Sequence, residues 1–259
     1  MIQIDLMALA DIGNPELIAK EIIKENKDTS LPIPIEEIAK AVGIKEIQYI
    51  SNATFEGALV ANSGKTEGII ACKAEGNEER RRFTIGHELG HFLIPSHSNR
   101  LTCATSSISY ENRNTYNDKE QQANCFASNI LIPQYFLEKE LDKIKYFDLE
   151  ELCKLREKFL VSYEAFIRAL VTCCYEPMAF IFAENQIIKF FVCSNDFPYL
   201  NVRPKSKLPI KLTSNQNYEL QETVERDCDF WLSNRISGSL YEQNLILKKN
   251  YSITMLTLD

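Results

Sequence analysis

The chain has 259 residues, enough for one large domain or two modest ones that each bury a core. Its hydrophobic share of 45% and charged share of 25% are ordinary for a globular protein and exclude bulk disorder. A formal net charge of −7 argues against a sequence-independent grip on nucleic acid, which needs a basic face.

The N-terminus, MIQIDLMALADIGNPE, lacks a basic start, an apolar centre and a small-residue cleavage site, so it does not read as a secretory signal. The longest apolar runs fall far short of a membrane span. A cytoplasmic protein with no membrane partner is expected. Eight cysteines are present (Cys72, Cys103, Cys125, Cys153, Cys173, Cys174, Cys193 and Cys228). With no export signal and no C-x-x-C pair, they read as small apolar residues rather than disulfides or a zinc ribbon.

Pro15 to Glu25 predicts a helix, with Asn14 as N-cap, Pro15 at the first position, and Leu17, Ile18, Ile22 and Ile23 on one face. An extended Leu31-Pro32-Ile33-Pro34 leads into a short helix from Ile35 to Ala41, closed by Gly43. Residues 47–50, 57–61 and 68–72 read as short strands of a small sheet or meander. Asn77 to Leu93 has helical spacing, with Asn77 as N-cap, Glu78 and Glu79 at the positive helix start, and Pro95 as terminator. Residues 96–117 are polar and read as a long loop. Asp118 to Leu131 is a further helix, and Pro133 opens another towards Lys143. Residues 148–160 and 162–173 form a helix pair, with Ser162 capping the second.

After Pro177 the pattern changes. Residues 178–183 and 187–193 read as a hairpin turning at 184–186. Residues 209–213 and 241–258 are strand-like, and a helix carrying Trp231 is expected around 217–233. A domain boundary is placed at 174–177. The fold class is therefore α+β: a mainly helical domain with a small sheet (1–175), then a smaller mixed domain (176–259).

His87 and His91 stand four residues apart, which on a helix places both imidazoles on one face, one turn apart. Glu88 follows His87 and is angled towards water on an ion rather than the ion itself. This is the H-E-x-x-H arrangement: zinc acidifies its water, and the glutamate takes the proton as a peptide carbonyl is attacked. A catalytic zinc needs a third protein ligand and an open position. Glu120, on the polar side of the next helix, can supply it. It can equally be a helix-dipole acid shared with Asp118.

The pair FTIGHELGHFLIP (83–95) and EQQANCFASNILIP (120–133) resembles the ImmA/IrrE family of zinc metallopeptidases. In that family the H-E-x-x-H helix is followed by a helix of the form E-x-E-A-N-x-F-A-x-x-L-L-x-P. The resemblance covers roughly residues 15–145 and extends to LPIPIEEIAKAVGI (31–44). It implies a zincin-like fold, His87, His91 and Glu120 as metal ligands, and Glu88 as general base. Gln122 departs from the family's usual second glutamate. Asn124 is expected to orient a ligand or a helix end. Zinc is the expected ion, with manganese or iron as alternatives. The resemblance further implies a protein substrate, a helix-turn-helix transcriptional repressor that is cleaved or otherwise inactivated in a mobile-element, phage or stress response.

An oxyanion stabiliser is also needed. His97, Tyr110, Arg113 and Tyr116 are candidates, all on the 96–117 loop, and His97 is taken forward as a catalytic residue. Cys103 on that loop could cap a resting zinc, although an ordinary loop cysteine is the plainer reading. Arg80, Arg81 and Arg82 read as a solvated helix face, Cys173-Cys174 as a buried helix end, and Phe180, Phe182, Phe190 and Phe191 as core of the second domain. That domain carries no histidine and no phosphate loop; it reads as a sensor, a partner-binding module or a structural shield. Two other functions compete with the peptidase: a non-cleaving zinc-containing regulator that acts by binding, and a DNA-binding regulator using residues 34–44. The intact Glu88 speaks against the first and the acidic balance against the second. Oligomeric state is not readable from the sequence.

Overall fold

A computed structural model describes residues 2–97, 100–103, 117–212, 214, 216–233 and 238–258. The chain forms two compact units: Met1–Phe136 with Arg156–Ala165, and Leu137–Leu155 with Phe166–Asp259. The units do not divide at 174–177. The change at Pro177 marks a switch from helix to strand, whereas the helices before it already belong partly with the strands after it.

The first unit opens with α1 (Leu6–Ala10) and α2 (Pro15–Lys24). The Asn14 side chain accepts from the backbone N–H groups of Glu16 and Leu17 at 2.9 and 3.1 Å, satisfying two donors at the start of α2. Ile18, Ala19, Ile22 and Ile23 are buried. Leu17, expected on the same face, is 52% exposed, because it sits at the edge of the stripe. α3 (Ile35–Val42) ends at Gly43, whose φ of 118° is the left-handed cap that glycine adopts without a Cβ penalty.

Four strands follow: β1 (Ile44–Ile50), β2 (Gly57–Ala61), β3 (Gly68–Lys73) and β4 (Arg100–Cys103). Their order is β1-β3-β2-β4. β1 pairs with β3 in parallel, so the sheet is not a meander; β2 lies antiparallel to both β3 and β4. β4 falls inside the expected loop, since four residues carry too little alternation to announce a strand.

α4 (Glu78–Leu93) packs on β2, β3, α3 and above all on α5 (Asn117–Leu131). The three arginines at its start are tied down rather than merely solvated. Arg80 pairs with Glu56 at 2.9 Å. Arg81 donates to the Gly76 carbonyl at 2.8 Å and Arg82 to the Ile33 carbonyl at 2.7 Å.

Three helices lead to the second sheet: α6 (Gln134–Leu141), α7 (Leu149–Phe159) and α8 (Tyr163–Cys173). The Ser162 hydroxyl accepts from the Ala165 N–H at 3.2 Å, capping α8 as expected. The second unit is built on β5 (Met178–Glu184), β6 (Ile187–Cys193), β7 (Tyr218–Leu220), β8 (Val224–Asp227), β9 (Ser239–Leu247) and β10 (Tyr251–Leu258), in the order β6-β5-β10-β9-β7 with β8 also on β9. The β5–β6 hairpin turns at Asn185 and Gln186, both at positive φ, which matches the twist of the flanking strands. Ala179, Ile181, Ile188, Trp231, Leu240 and Leu256 form its apolar centre.

Two expectations fail in this unit. Residues 217–233 are not one helix: they form β7, β8 and only a short α9 (Cys228–Trp231). Pairing with β9 decides the outcome there, over the local charge pattern. Residues 209–212 form no strand. The run 241–258 splits into the β9–β10 hairpin around a single 3₁₀ turn at Lys248–Asn250. Among the described residues, no helix is long and apolar enough to cross a membrane.

Candidate metal centre

The centre lies where α4 and α5 touch. Close approach is a property of small residues. A Cβ added at Gly90 would stand 3.1 Å from the Ala123 Cα, and one at Gly86 would stand 3.3 Å from the Ala127 Cβ. Glycine on one helix thus meets alanine on the other, twice, one turn apart. This lets a carboxylate on α5 reach imidazoles on α4.

His87, Glu88 and His91 are wholly buried on α4, and Glu120 is buried on α5. The Nε2 atoms of His87 and His91 are 3.1 Å apart. Glu120 Oε2 lies 3.2 Å from His87 Nε2, and Oε1 lies 3.4 Å from His91 Nε2. One ligand atom from each of the three residues can be chosen so that all lie within 4.8 Å of one another.

The outer hydrogen bonds of the two rings determine what faces inward. Asn124 Oδ1 stands 2.9 Å from His87 Nδ1. An amide oxygen only accepts, so His87 Nδ1 carries the proton and, in the neutral ring, Nε2 keeps its lone pair. On the other ring, His91 Nδ1 is 2.8 Å from His97 Nδ1, and His97 Nε2 is 2.9 Å from Gln122 Oε1.

Burial pushes the His91 imidazole below its ordinary range, and burial lowers His97 to about 4. Burial alone would raise the Glu120 carboxyl; hydrogen bonds and positive charge from the His87 and His91 side outweigh it and hold the group well below the usual carboxylate range, a stabilisation that a cation among the three residues would supply where both Nε2 atoms present lone pairs.

Two nitrogen lone pairs and a carboxylate facing one another repel unless a cation lies among them. Zinc–nitrogen and zinc–oxygen bonds of about 2.0–2.1 Å at tetrahedral angles would set such donors about 3.3 Å apart. The Nε2–Nε2 separation of 3.1 Å and the approaches of 3.2 and 3.4 Å made by the two different oxygens of Glu120 lie close to that value. The donor set therefore fits a divalent ion, with His87, His91 and Glu120 as the residues that would hold it.

Glu88 follows His87 on α4 and is itself wholly buried. A Cβ placed on Gly57 of β2 would come within 2.4 Å of Glu88 Oε1 and 2.6 Å of Thr84 Cγ2, so the carboxylate occupies the space that a side chain at 57 would fill. The Lys65 ammonium donates to the carbonyls of His91 and Ile94 at 2.8 Å each, closing the end of α4 that carries His91.

His97, expected as a catalytic residue, has its ring between α4 and α5. It stands on the Nδ1 side of His91, and both its ring nitrogens are already engaged. Tyr110, Arg113 and Tyr116 lie outside the described residues, as does the Cys103 side chain. Gly57, Lys65 and the contact of Gln122 with His97 were missed from sequence. Gln122 alone left a signal, as the departure from the resembling helix pattern.

Residues 43–171 match the IrrE N-terminal-like domain. No curated protein matches the chain. Among solved structures, a Mycobacterium tuberculosis transcriptional regulator is similar, with a TM-score of 0.52 and 13% identity, over 98% of this chain and 90% of that one. At this identity the likeness speaks for the fold. The matched segment contains both metal helices and every residue of the centre, so through residues 43–171 the chain belongs to the ImmA/IrrE family, with a metallopeptidase-type domain.

Proposed function

We propose that the first unit is a zinc-dependent endopeptidase acting on a partner protein. The observation that supports this most is the convergence of His87, His91 and Glu120 with a buried carboxylate, Glu88, next to His87 on the same helix. A divalent ion in such a site supplies Lewis acidity to a peptide carbonyl and acidifies water. The chain's own residues do the rest. His87 and His91 present nitrogen lone pairs, and Glu120 adds a negative charge. Glu88 is the general base: it accepts the proton of the attacking water and returns it to the leaving amine. The absence of a side chain at Gly57 leaves room for that carboxylate.

The partner is a helix-turn-helix transcriptional repressor, which is the substrate class the family resemblance suggests. The test is to incubate the zinc-loaded chain with repressors encoded beside its gene and look for fragments. Glu88→Gln should keep a full complement of metal while cleavage falls at least 100-fold. If that variant still inactivates the repressor in cells, the chain works by binding and the peptidase reading is lost.

A further inference from the structure

Most of the molecule's polar clusters are absorbed by folding or by the reading above. The chain Gln122–His97–His91 is not. His97 is buried, follows the metal helix by four residues, and bonds through its backbone N–H to the Ile94 carbonyl at 3.2 Å. Its ring bridges two residues on different helices. No ligand role falls to it, since its nitrogens face His91 Nδ1 and Gln122 rather than the cluster.

With the Gln122 amide oxygen turned towards His97 and both rings neutral, proton bookkeeping along this chain has one solution. Gln122 Oε1 accepts, so His97 Nε2 carries its proton. A neutral imidazole has one N–H, so His97 Nδ1 is an acceptor. His91 Nδ1 faces that acceptor and must donate to it. His91 Nε2 is then left with a lone pair, pointed at His87 Nε2 and Glu120. Asn124 does the same for His87 in one step.

We propose that His97 and Gln122 are positioning residues for the metal: Gln122 sets the tautomer of His97, and His97 sets the tautomer and ring angle of His91. The inference rests on the metal reading and goes beyond it by assigning an outer role to two residues. A side chain that orients a ligating imidazole in this way is typically worth about 10- to 100-fold in metal affinity.

The test uses the full chain and Zn²⁺ in competition with a chromophoric chelator. The wild type should bind one ion tightly. His97→Leu should raise the dissociation constant about 10- to 100-fold. His97→Asn should recover most of that loss, because its Oδ1 takes the place of the imidazole Nδ1 and still accepts from His91. Gln122→Leu should cost less than His97→Leu, and Gln122→Glu should keep or tighten binding. The ¹⁵N shifts of the His91 ring in the metal-free chain give a second readout: a single Nδ1–H tautomer in the wild type and in His97→Asn, and a mixture in His97→Leu. If the wild type binds no zinc, the metal reading itself fails. If the wild type binds and His97→Leu binds equally well, or Asn rescues nothing, the relay is overturned while the site stands. Should His97→Leu not fold, Gln122→Leu on the half-buried end carries the same comparison.

Discussion

Two buried carboxylates in this protein have opposite surroundings. In the second unit, Glu242 is 1% exposed and is met by donors on every side: Arg226 Nε at 3.1 Å, Trp231 Nε1 at 2.8 Å and Asn244 Nδ2 at 2.9 Å. Asn244 in turn accepts from the Thr254 hydroxyl at 2.7 Å. That network closes on itself and needs nothing from outside. In the first unit, Glu120 faces two imidazole nitrogens of rings whose outer nitrogens meet Asn124 and His97. That cluster closes only around a cation. A buried acid ringed by donors serves the fold, whereas one ringed by lone pairs is arranged for an ion.

The contrast can be broken by exchanging what each site loses. Glu120→Ala should weaken zinc binding by roughly 3 kcal/mol or more, the share of one ligand in a structural-strength site. The metal-free variant should be no less stable than the metal-free wild type, because the substitution also removes a repulsion. Metal content and chemical denaturation with and without chelator check both halves. Glu242→Leu should do the reverse. It strands a buried indole N–H and an amide and should lower stability by about 2–3 kcal/mol, with zinc content unchanged in the folded fraction.

Smaller effects sharpen the same division. Gly90→Ala gains helix propensity of about 1 kcal/mol but drives a methyl to 3.1 Å from backbone on α5. A net loss near 1 kcal/mol is expected, together with weaker zinc binding, measured by melting and chelator competition. Gly57→Ala should leave zinc content intact and reduce cleavage, because it moves the Glu88 carboxylate rather than a ligand. At the bottom of the scale, Leu17→Lys on the exposed edge of α2 should change stability by less than about 0.5 kcal/mol.

What could be read from the sequence was what depends on local spacing. The α4 histidines sit four apart, and helical geometry alone puts them together. Asn14, Gly43 and Ser162 announced helix ends because caps are local chemistry. Glu120 was left open by its own residues and was assigned through the resemblance of two helices. What could not be read was tertiary. The parallel β1–β3 pair depends on β2 taking the far side of β3, which no stretch of sequence encodes alone. Residues 217–233, rich in charge at mixed spacing, resembled an amphipathic helix until β9 supplied a partner for them. His97 sits in a polar run with nothing to show which way its ring turns, and its contacts with His91 and Gln122 emerge only once the two helices are packed.

The glycine–alanine seam between α4 and α5 has a consequence for how damage to the first unit would first be noticed. Coordination tolerates a shift of only about 0.2 Å in any bond, while a packed core absorbs larger shifts at modest cost. Any wedge that spreads these two helices, even far along the seam, would release the ion well before the fold loosened. Metal retention would thus be a finer gauge of the spacing between these helices than any melting curve.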